Sequence, residues 1–432
     1  MEPGYFARPL PDSRRYIRLI IIQPAQDPNG IVECSLGTIP LFDPETPAYV
    51  ALSYVWGDAS VTEEIRVNSA PLAVTTNLAA LLRLLRTKYR GEIRLFADTP
   101  PMFWVDAICI NQQDLIEKSA QVPLMKDIYR GAKYVLSWLG PEADGSMEAL
   151  SSLKTMSEEI AKLSPDSDRF EWLRKYPMLW GPKSEQAKDK STVWENIDRL
   201  WDRPYWKRTW IFQEIVLAKN VLLMCGKATL PWDVVLRVEN WVKSITGTAE
   251  HLKPSFLNTS QWLQFVFGNN LKKSGIRQIE NNRQVWRYQG AMAVREIVGL
   301  RILVSSRHLL ATNPRDHVYG LLSFTDVDII PNYSKSVRDI FTETAWKYLK
   351  LYGLTQLLNL ARKDDFAEKA ANLLKGGKEI ENNLLGNRFG IPSWVPDVSF
   401  NSDSAHSACS SLQRIAYIFI RCFTSSSIEC FP

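Results

Sequence analysis

Three short runs of nearly unbroken apolar residues decide what this chain can fold into: Tyr49–Val55, Phe103–Ile110 and Tyr134–Leu139. Each is closed by turn chemistry, at Trp56-Gly57-Asp58, at Asn111-Gln112-Gln113-Asp114 and at Gly140-Pro141. Runs of this length without polar alternation read as strands covered on both faces. Helix patterns lie between them. Asn77 can cap a helix whose Leu78, Leu81, Leu82 and Leu85 recur on one face. The stretch Asp114–Ala132 puts Val122, Met125, Ile128 and Tyr129 on one side, and Pro123 inside it should kink or restart the helix. Val221–Cys225 adds a fourth apolar run. Strands joined by helices of this length predict an α/β fold with a mostly parallel sheet and helices on both faces.

The flanks carry different patterns. Tyr16–Ile22 and Ile31–Leu36, joined through Asp27-Pro28-Asn29-Gly30, predict an N-terminal β-hairpin, and Pro40, Pro44 and Pro47 mark a linker after it. A second small hairpin is expected from Ile65–Asn68 and Leu72–Val74, turning at Ser69-Ala70. Met147–Leu200 is charged and helical, with loop material around Gly181–Lys190. Beyond Gly226 the pattern turns helical, at Trp232–Ser244, Ala291–Leu303 and Val337–Tyr352. The chain so divides into a hairpin and linker (1–47), an α/β domain (48–226), a mainly helical C-terminal region (227–398) and an irregular segment (399–432). That last segment is Ser-rich, then apolar without a period, and is expected to be an atypical, truncated end.

Several functions are excluded by composition. The 52 basic and 47 acidic residues are spread along the chain without a block, so no nucleic-acid footprint is expected. No apolar run approaches the roughly 18 residues of a membrane span. The N-terminus lacks the basic start and apolar stretch of a secretory signal, which points to the cytoplasm. Cys34, Cys109, Cys225, Cys409, Cys422 and Cys430 form no C-x-x-C pair, consistent with reduced thiols and no zinc site. His308 and His317 flank the turn Asn313-Pro-Arg-Asp316 without further ligands, so no metal is expected. Gly376-Gly377-Lys378 is too short for a phosphate loop.

Ligands of open parallel sheets sit beyond the carboxyl ends of the strands. That rule makes Trp56, Gly57, Asp58, Asn111 and Gln112 pocket candidates, and Asp106 and Arg208 are counted with them. Asn111 and Gln112 either cap the following helix or face a ligand. Asp106, inside an apolar run, needs a partner such as Arg208 or backbone amides, or else it serves as an acid in the pocket. In Tyr205–Ala218 the residues Trp206, Trp210, Glu214 and Leu217 share a helical side, which turns Glu214 inward. There it either pairs with Arg208 or acts as a catalytic carboxylate. Trp56, Trp104, Trp138 and Trp210 are expected in the core, Cys109 as an inert thiol, and Gly57 and Gly140 where strands end in unusual dihedrals.

Three blocks resemble the fungal heterokaryon incompatibility (HET) family in wording, order and spacing. They are Tyr49-Val-Ala-Leu-Ser-Tyr-Val-Trp-Gly57, then Phe103-Trp-Val-Asp-Ala-Ile-Cys-Ile-Asn-Gln-Gln-Asp114 with its continuation to Trp138-Leu-Gly140, and Arg208-Thr-Trp-Ile-Phe-Gln-Glu-Ile-Val-Leu-Ala218. Asn313–Leu322, Pro331–Ser336 and Pro392–Asp397 look like segments that follow this domain in long members. Pro123 departs from the family, which usually carries a helix former there. The resemblance implies a module of non-self recognition that triggers programmed cell death through protein–protein signalling, with an incompatibility partner or a second copy as partners and no cofactor required. The family has also been likened to the TIR fold, so the sheet is expected to be TIR-like. Ala51-Leu-Ser-Tyr54 sits like its first strand, and Arg208–Glu214 resembles the helix that bears the glutamate of NAD-cleaving members. By that analogy NAD is a possible substrate and Glu214 would stabilise the oxocarbenium-like transition state. An inactive, truncated member is the third reading. Fold analogy alone delivers no activity.

Overall fold

The computed structural model describes residues 9–25, 27, 29–88, 100–164, 168–179, 192–246, 275–288, 309–325 and 327–361. The loop at 181–190, the helix expected at 291–303, His308, Gly376–Lys378, the motif at 392–397 and the segment 399–432 lie outside the described residues. Two compact units divide the chain. One comprises Met1–Glu117 and Leu124–Gln284, the other Lys118–Pro123 and Val285–Pro432.

The first unit is built on one nine-stranded sheet. Its strands are β1 (Tyr16–Ile22), β2 (Glu33–Pro40), β3 (Tyr49–Tyr54), β4 (Thr62–Val67), β5 (Ala70–Thr75), β6 (Met102–Trp104), β7 (Tyr134–Trp138), β8 (Val221–Cys225) and β9 (Ala228–Pro231). They lie in the order β5-β4-β2-β1-β6-β3-β7-β8-β9. The α/β class is as expected, and the parallel character is concentrated at the centre. There β6, β3, β7 and β8 run parallel. Outside that core β1–β2, β1–β6, β4–β5 and β8–β9 are antiparallel, while β2–β4 is parallel. Short connections explain the antiparallel pairs β1–β2, β4–β5 and β8–β9, since only a long crossover can bring a strand back parallel. The N-terminal hairpin is therefore part of the sheet: β1 pairs with β6 and continues the core outward.

Helices cover both faces. Helix α1 (Thr76–Lys88) fully buries Leu78, Leu81, Leu82 and Leu85, the stripe read from the sequence. Its Asn77 lies within the helix and does not cap it. The Asn77 amide donates to the Val55 carbonyl (2.5 Å) and its oxygen accepts from the Trp138 indole (2.9 Å). A short turn, α2 (Asp106–Cys109), follows β6, and then α3 (Leu115–Gln121). A 3₁₀ turn at Val122–Leu124 holds Pro123, and α4 (Met125–Gly131) starts afresh after it. On the face opposite Trp138, Tyr129 of α4 meets the Trp104 ring edge-on at 5.4 Å, and the Tyr49 hydroxyl donates to the Ile128 carbonyl (2.6 Å). Further helices are α5 (Ser146–Ala161), α6 (Thr192–Trp201), α7 (Ile211–Val216), α8 (Trp232–Thr246) and α9 (Gly275–Tyr288). The Trp-rich stretch supplies core, with Trp172 5.1 Å from Trp241 and Trp201 5.2 Å from Trp206.

One strand expectation is corrected. Phe103–Ile110 is not a continuous strand: pairing stops at Trp104 and the chain turns into α2. Asp106 opens that turn, and its carboxylate accepts from the Ala107 amide (2.8 Å), a local bond that competes with strand pairing. The small hairpin between β4 and β5 is present, but it turns at Asn68-Ser69, one residue earlier than expected, with both residues at positive φ (50° and 69°), the twist-matched turn.

In the second unit α10 (Asp316–Tyr319) and α11 (Val337–Ala361) are helical, the latter longer than its pattern indicates. Tyr333 donates to Asp316 (2.8 Å), stacks edge-on against Tyr319 at 5.1 Å and carries the Lys118 ammonium 4.6 Å above its ring. No group of His, Cys, Asp or Glu among the described residues could hold a metal ion.

A buried ion pair ties the sheet to α3. Arg18, in the middle of β1, is 2% exposed and grips Glu117 of α3 through two bonds of 2.6 and 2.9 Å. Arg18 also donates to the Cys109 carbonyl (3.0 Å), and Glu117 accepts from the Asn111 amide (2.8 Å). Removing one partner strands the other charge in the interior, so Arg18→Ala or Glu117→Ala should each cost about 3–5 kcal/mol. Arg18→Lys should lose most of this as well, because an ammonium cannot make the fork. Urea unfolding of the purified variants measures it, and a loss below about 1 kcal/mol would mean the pair is solvated.

Candidate functional site

The carboxyl end of β3 gathers most of the residues singled out in the sequence. Gly57, at φ 82°, lets the chain leave the strand, and Gly140, at φ 107°, does the same after β7. Between them the Trp56 indole donates to Asp106 (2.8 Å), and the Gln112 amide donates to the Asp106 carbonyl (2.9 Å). The Asp106 carboxylate is thus satisfied by Trp56 and the Ala107 amide. Asp114, not Asn111 or Gln112, caps α3, accepting from the amides of Ile116 (2.9 Å) and Glu117 (3.0 Å). Trp56, Asn111 and Gln112 line a cleft of roughly 590 Å³ walled by Leu72 and Val74 of β5. Gly57 and Asp58 are exposed beside it. The Asp58 carboxyl is held below the usual carboxylate range by Ser60, which donates through its hydroxyl (2.7 Å) and amide (2.8 Å).

Glu214 does not line this cleft. It lies beneath the strand end on α7, 1% exposed. Its carboxylate accepts from the Ser53 hydroxyl, and Ser53 in turn shares a 2.6 Å bond with Tyr205. Arg208 stands 3.8 Å from Glu214 and donates to the Tyr54 carbonyl. The pairing of Glu214 with Arg208 is therefore present. Burial pushes the Glu214 carboxyl up from its ordinary value, against the pull of Arg208 and Ser53. Burial likewise drives Tyr54 and Tyr129 well above the usual phenol range. The Cys109 thiol, fully buried, is pushed up to about 12, which suits an inert side chain.

Four contributors were not singled out from the sequence: Ser53, Tyr205, the bridging role of Asn77, and the Arg18–Glu117 pair. Two left a signal. Ser53 is the one small hydroxyl in the apolar run of β3, and Arg18 is the one charge in β1. A polar group inside such a run must find a partner, although the sequence does not say which.

Among the described residues no helix is long and apolar enough to cross a membrane. Residues 49–214 match the family described as Heterokaryon incompatibility protein (HET). Those limits enclose β3 through Glu214, the stretch that holds every element of the strand-end network. Over that stretch the chain is similar to the HET family. It is 29% identical over 431 residues to Heterokaryon incompatibility protein 6, OR allele, of Neurospora crassa, covering 91% of this chain and 59% of that relative. The chain therefore spans about three-fifths of the length of the curated protein it matches. No solved structure matches.

The raised Glu214 pKa has a consequence for stability. The folded state binds this proton more tightly than the unfolded chain, so the contribution is full below the ordinary carboxylate pKa and is lost as pH rises through the raised value. Wild type should lose stability across that window, and Glu214→Gln, which cannot titrate, should lack this part of the slope. Urea unfolding of both proteins, from below the ordinary carboxylate pKa upward, compares the curves. Parallel curves would show that Glu214 ionises as a solvated carboxyl does.

Proposed function

We propose that this chain works in the cytoplasm as the signalling module of a fungal heterokaryon incompatibility system, driving growth arrest and cell death through protein–protein contacts. The match of residues 49–214 to the HET family carries this reading. The name of the Neurospora relative agrees with it. An incompatibility partner, or a second copy of the chain, is the expected contact, and no cofactor is needed. The state of Glu214 favours contact over catalysis. A carboxylate sealed at 1% exposure and bonded to Ser53 is occupied with holding the strand end. NAD hydrolysis by a TIR-like site built on Glu214 is the competing reading, favoured by the raised carboxyl pKa alone.

One substitution separates the two. Expressed from an inducible promoter in a filamentous fungus, wild type should arrest growth. Glu214→Gln, checked for an unchanged thermal melt, should arrest it nearly as well while cellular NAD stays level. Loss of toxicity together with loss of NAD consumption in the folded variant would establish the hydrolase instead. Failure of the wild-type chain to harm the host would identify an inactive relative.

A further inference from the structure

At the opposite end of the parallel strands lies a second cleft, of about 840 Å³, where β3, β7 and β8 begin. That volume suits a small molecule. Three cations line it: Arg130 from the last turn of α4, Lys133 from the turn between α4 and β7, and Lys219 from the connection between α7 and β8. One carboxylate, Asp127, stands against them among the lining residues. Phe42 completes the rim with its side chain 59% exposed, which leaves its ring face open to the cleft's solvent.

Complementing the carboxyl end of α4 accounts for Arg130 and Lys133, since cations stabilise that pole of a helix. It does not extend to Lys219, which the connection between α7 and β8 brings to the same cleft. The rim is also held in place. The Lys133 amide donates to the Tyr49 carbonyl (2.9 Å), and the Asn220 side chain donates to the Lys133 carbonyl (2.9 Å). The three segments that carry the charges are thus tied to one another before any ligand arrives. A net positive hollow of this kind concentrates anions. All three cations line the same cleft, so a compact anion there lies within reach of these long side chains.

We propose that this cleft binds a nucleotide, with Arg130, Lys133 and Lys219 holding the phosphates and Phe42 stacking on the base. The site is separate from the strand-end network and does not depend on the incompatibility reading. Isothermal titration of the full chain with ADP, pyrophosphate and adenosine tests it, at about 50 and about 300 mM salt. ADP should bind, more weakly at the higher salt, and adenosine should not. The substitution Lys219→Glu changes an exposed side chain away from the pole of α4 and should weaken ADP by about fivefold or more without altering the thermal melt. Phe42→Ala should weaken ADP by roughly fivefold or more and leave pyrophosphate unchanged. Equal binding of ADP and pyrophosphate to wild type would overturn the nucleotide assignment. ADP binding that survives the charge reversal, or no binding at either salt, would remove the site.

Discussion

The Arg18–Glu117 pair is the contact on which the rest of this domain depends. A guanidinium in the middle of an apolar strand loses its hydration, and only a fully bonded partner can offset that loss. Glu117 supplies two bonds, and the Cys109 carbonyl supplies a third acceptor. Glu117 reaches in the other direction to the Asn111 amide. The pair therefore fixes β1, the end of α2 and the start of α3 in a single geometry. Asn111 and Gln112, which line the cleft, hang from that same segment. Hydrophobic replacements could fill the space at similar stability, but they would leave the Asn111 amide and the Cys109 carbonyl without these partners.

A second regularity appears where sheet pairing runs out. At the end of β3 three backbone carbonyls are met by side chains, each from a different element. Tyr129 of α4 donates to the Leu52 carbonyl (3.2 Å), Arg208 to that of Tyr54 and Asn77 of α1 to that of Val55. Buried backbone groups must be paired, so these contacts are the terms on which a parallel strand can end inside the protein. They also explain why distant stretches belong to one domain. The ends of β3 and β7 are joined by the two halves of one amide, that of Asn77.

Local periodicity made much of this fold legible. The limits of β1 and β8, the buried stripe of α1 and the restart at Pro123 each follow from neighbouring residues, and each is found where its pattern lies. What could not be read was settled by partners far away in sequence. Asn77 has the chemistry of a cap, but the Val55 carbonyl and the Trp138 indole claim its side chain from 22 and 61 residues away. The run Phe103–Ile110 is apolar enough for a strand or a buried helix, and the Asp106 carboxylate bonding its own neighbour tips it into a turn. Nothing in the sequence pairs Arg18 with Glu117 across 99 residues. β9 is only four residues long, too short for alternation to show. The pocket candidates taken from strand ends split for a related reason. A strand ends with two faces: Trp56, Asn111 and Gln112 reach the cleft, while Ser53 turns to the other face and meets Glu214.

That split bears on mechanism. For a solute to reach Glu214, the bond from Ser53 has to break and the Arg208 guanidinium has to leave either the carboxylate or the Tyr54 carbonyl. Hydrogen bonds to charged groups are worth about 1.5–3 kcal/mol each. Opening the strand end would therefore consume a substantial part of the roughly 5–15 kcal/mol that holds a domain folded. A hydrolase built on this carboxylate would have to recover that cost from substrate binding at every turnover. A module that signals by contact faces no such demand, because a rigid strand end presents its surface without opening. The energetics of one buried glutamate thus weigh toward contact, and they do so without reference to any relative.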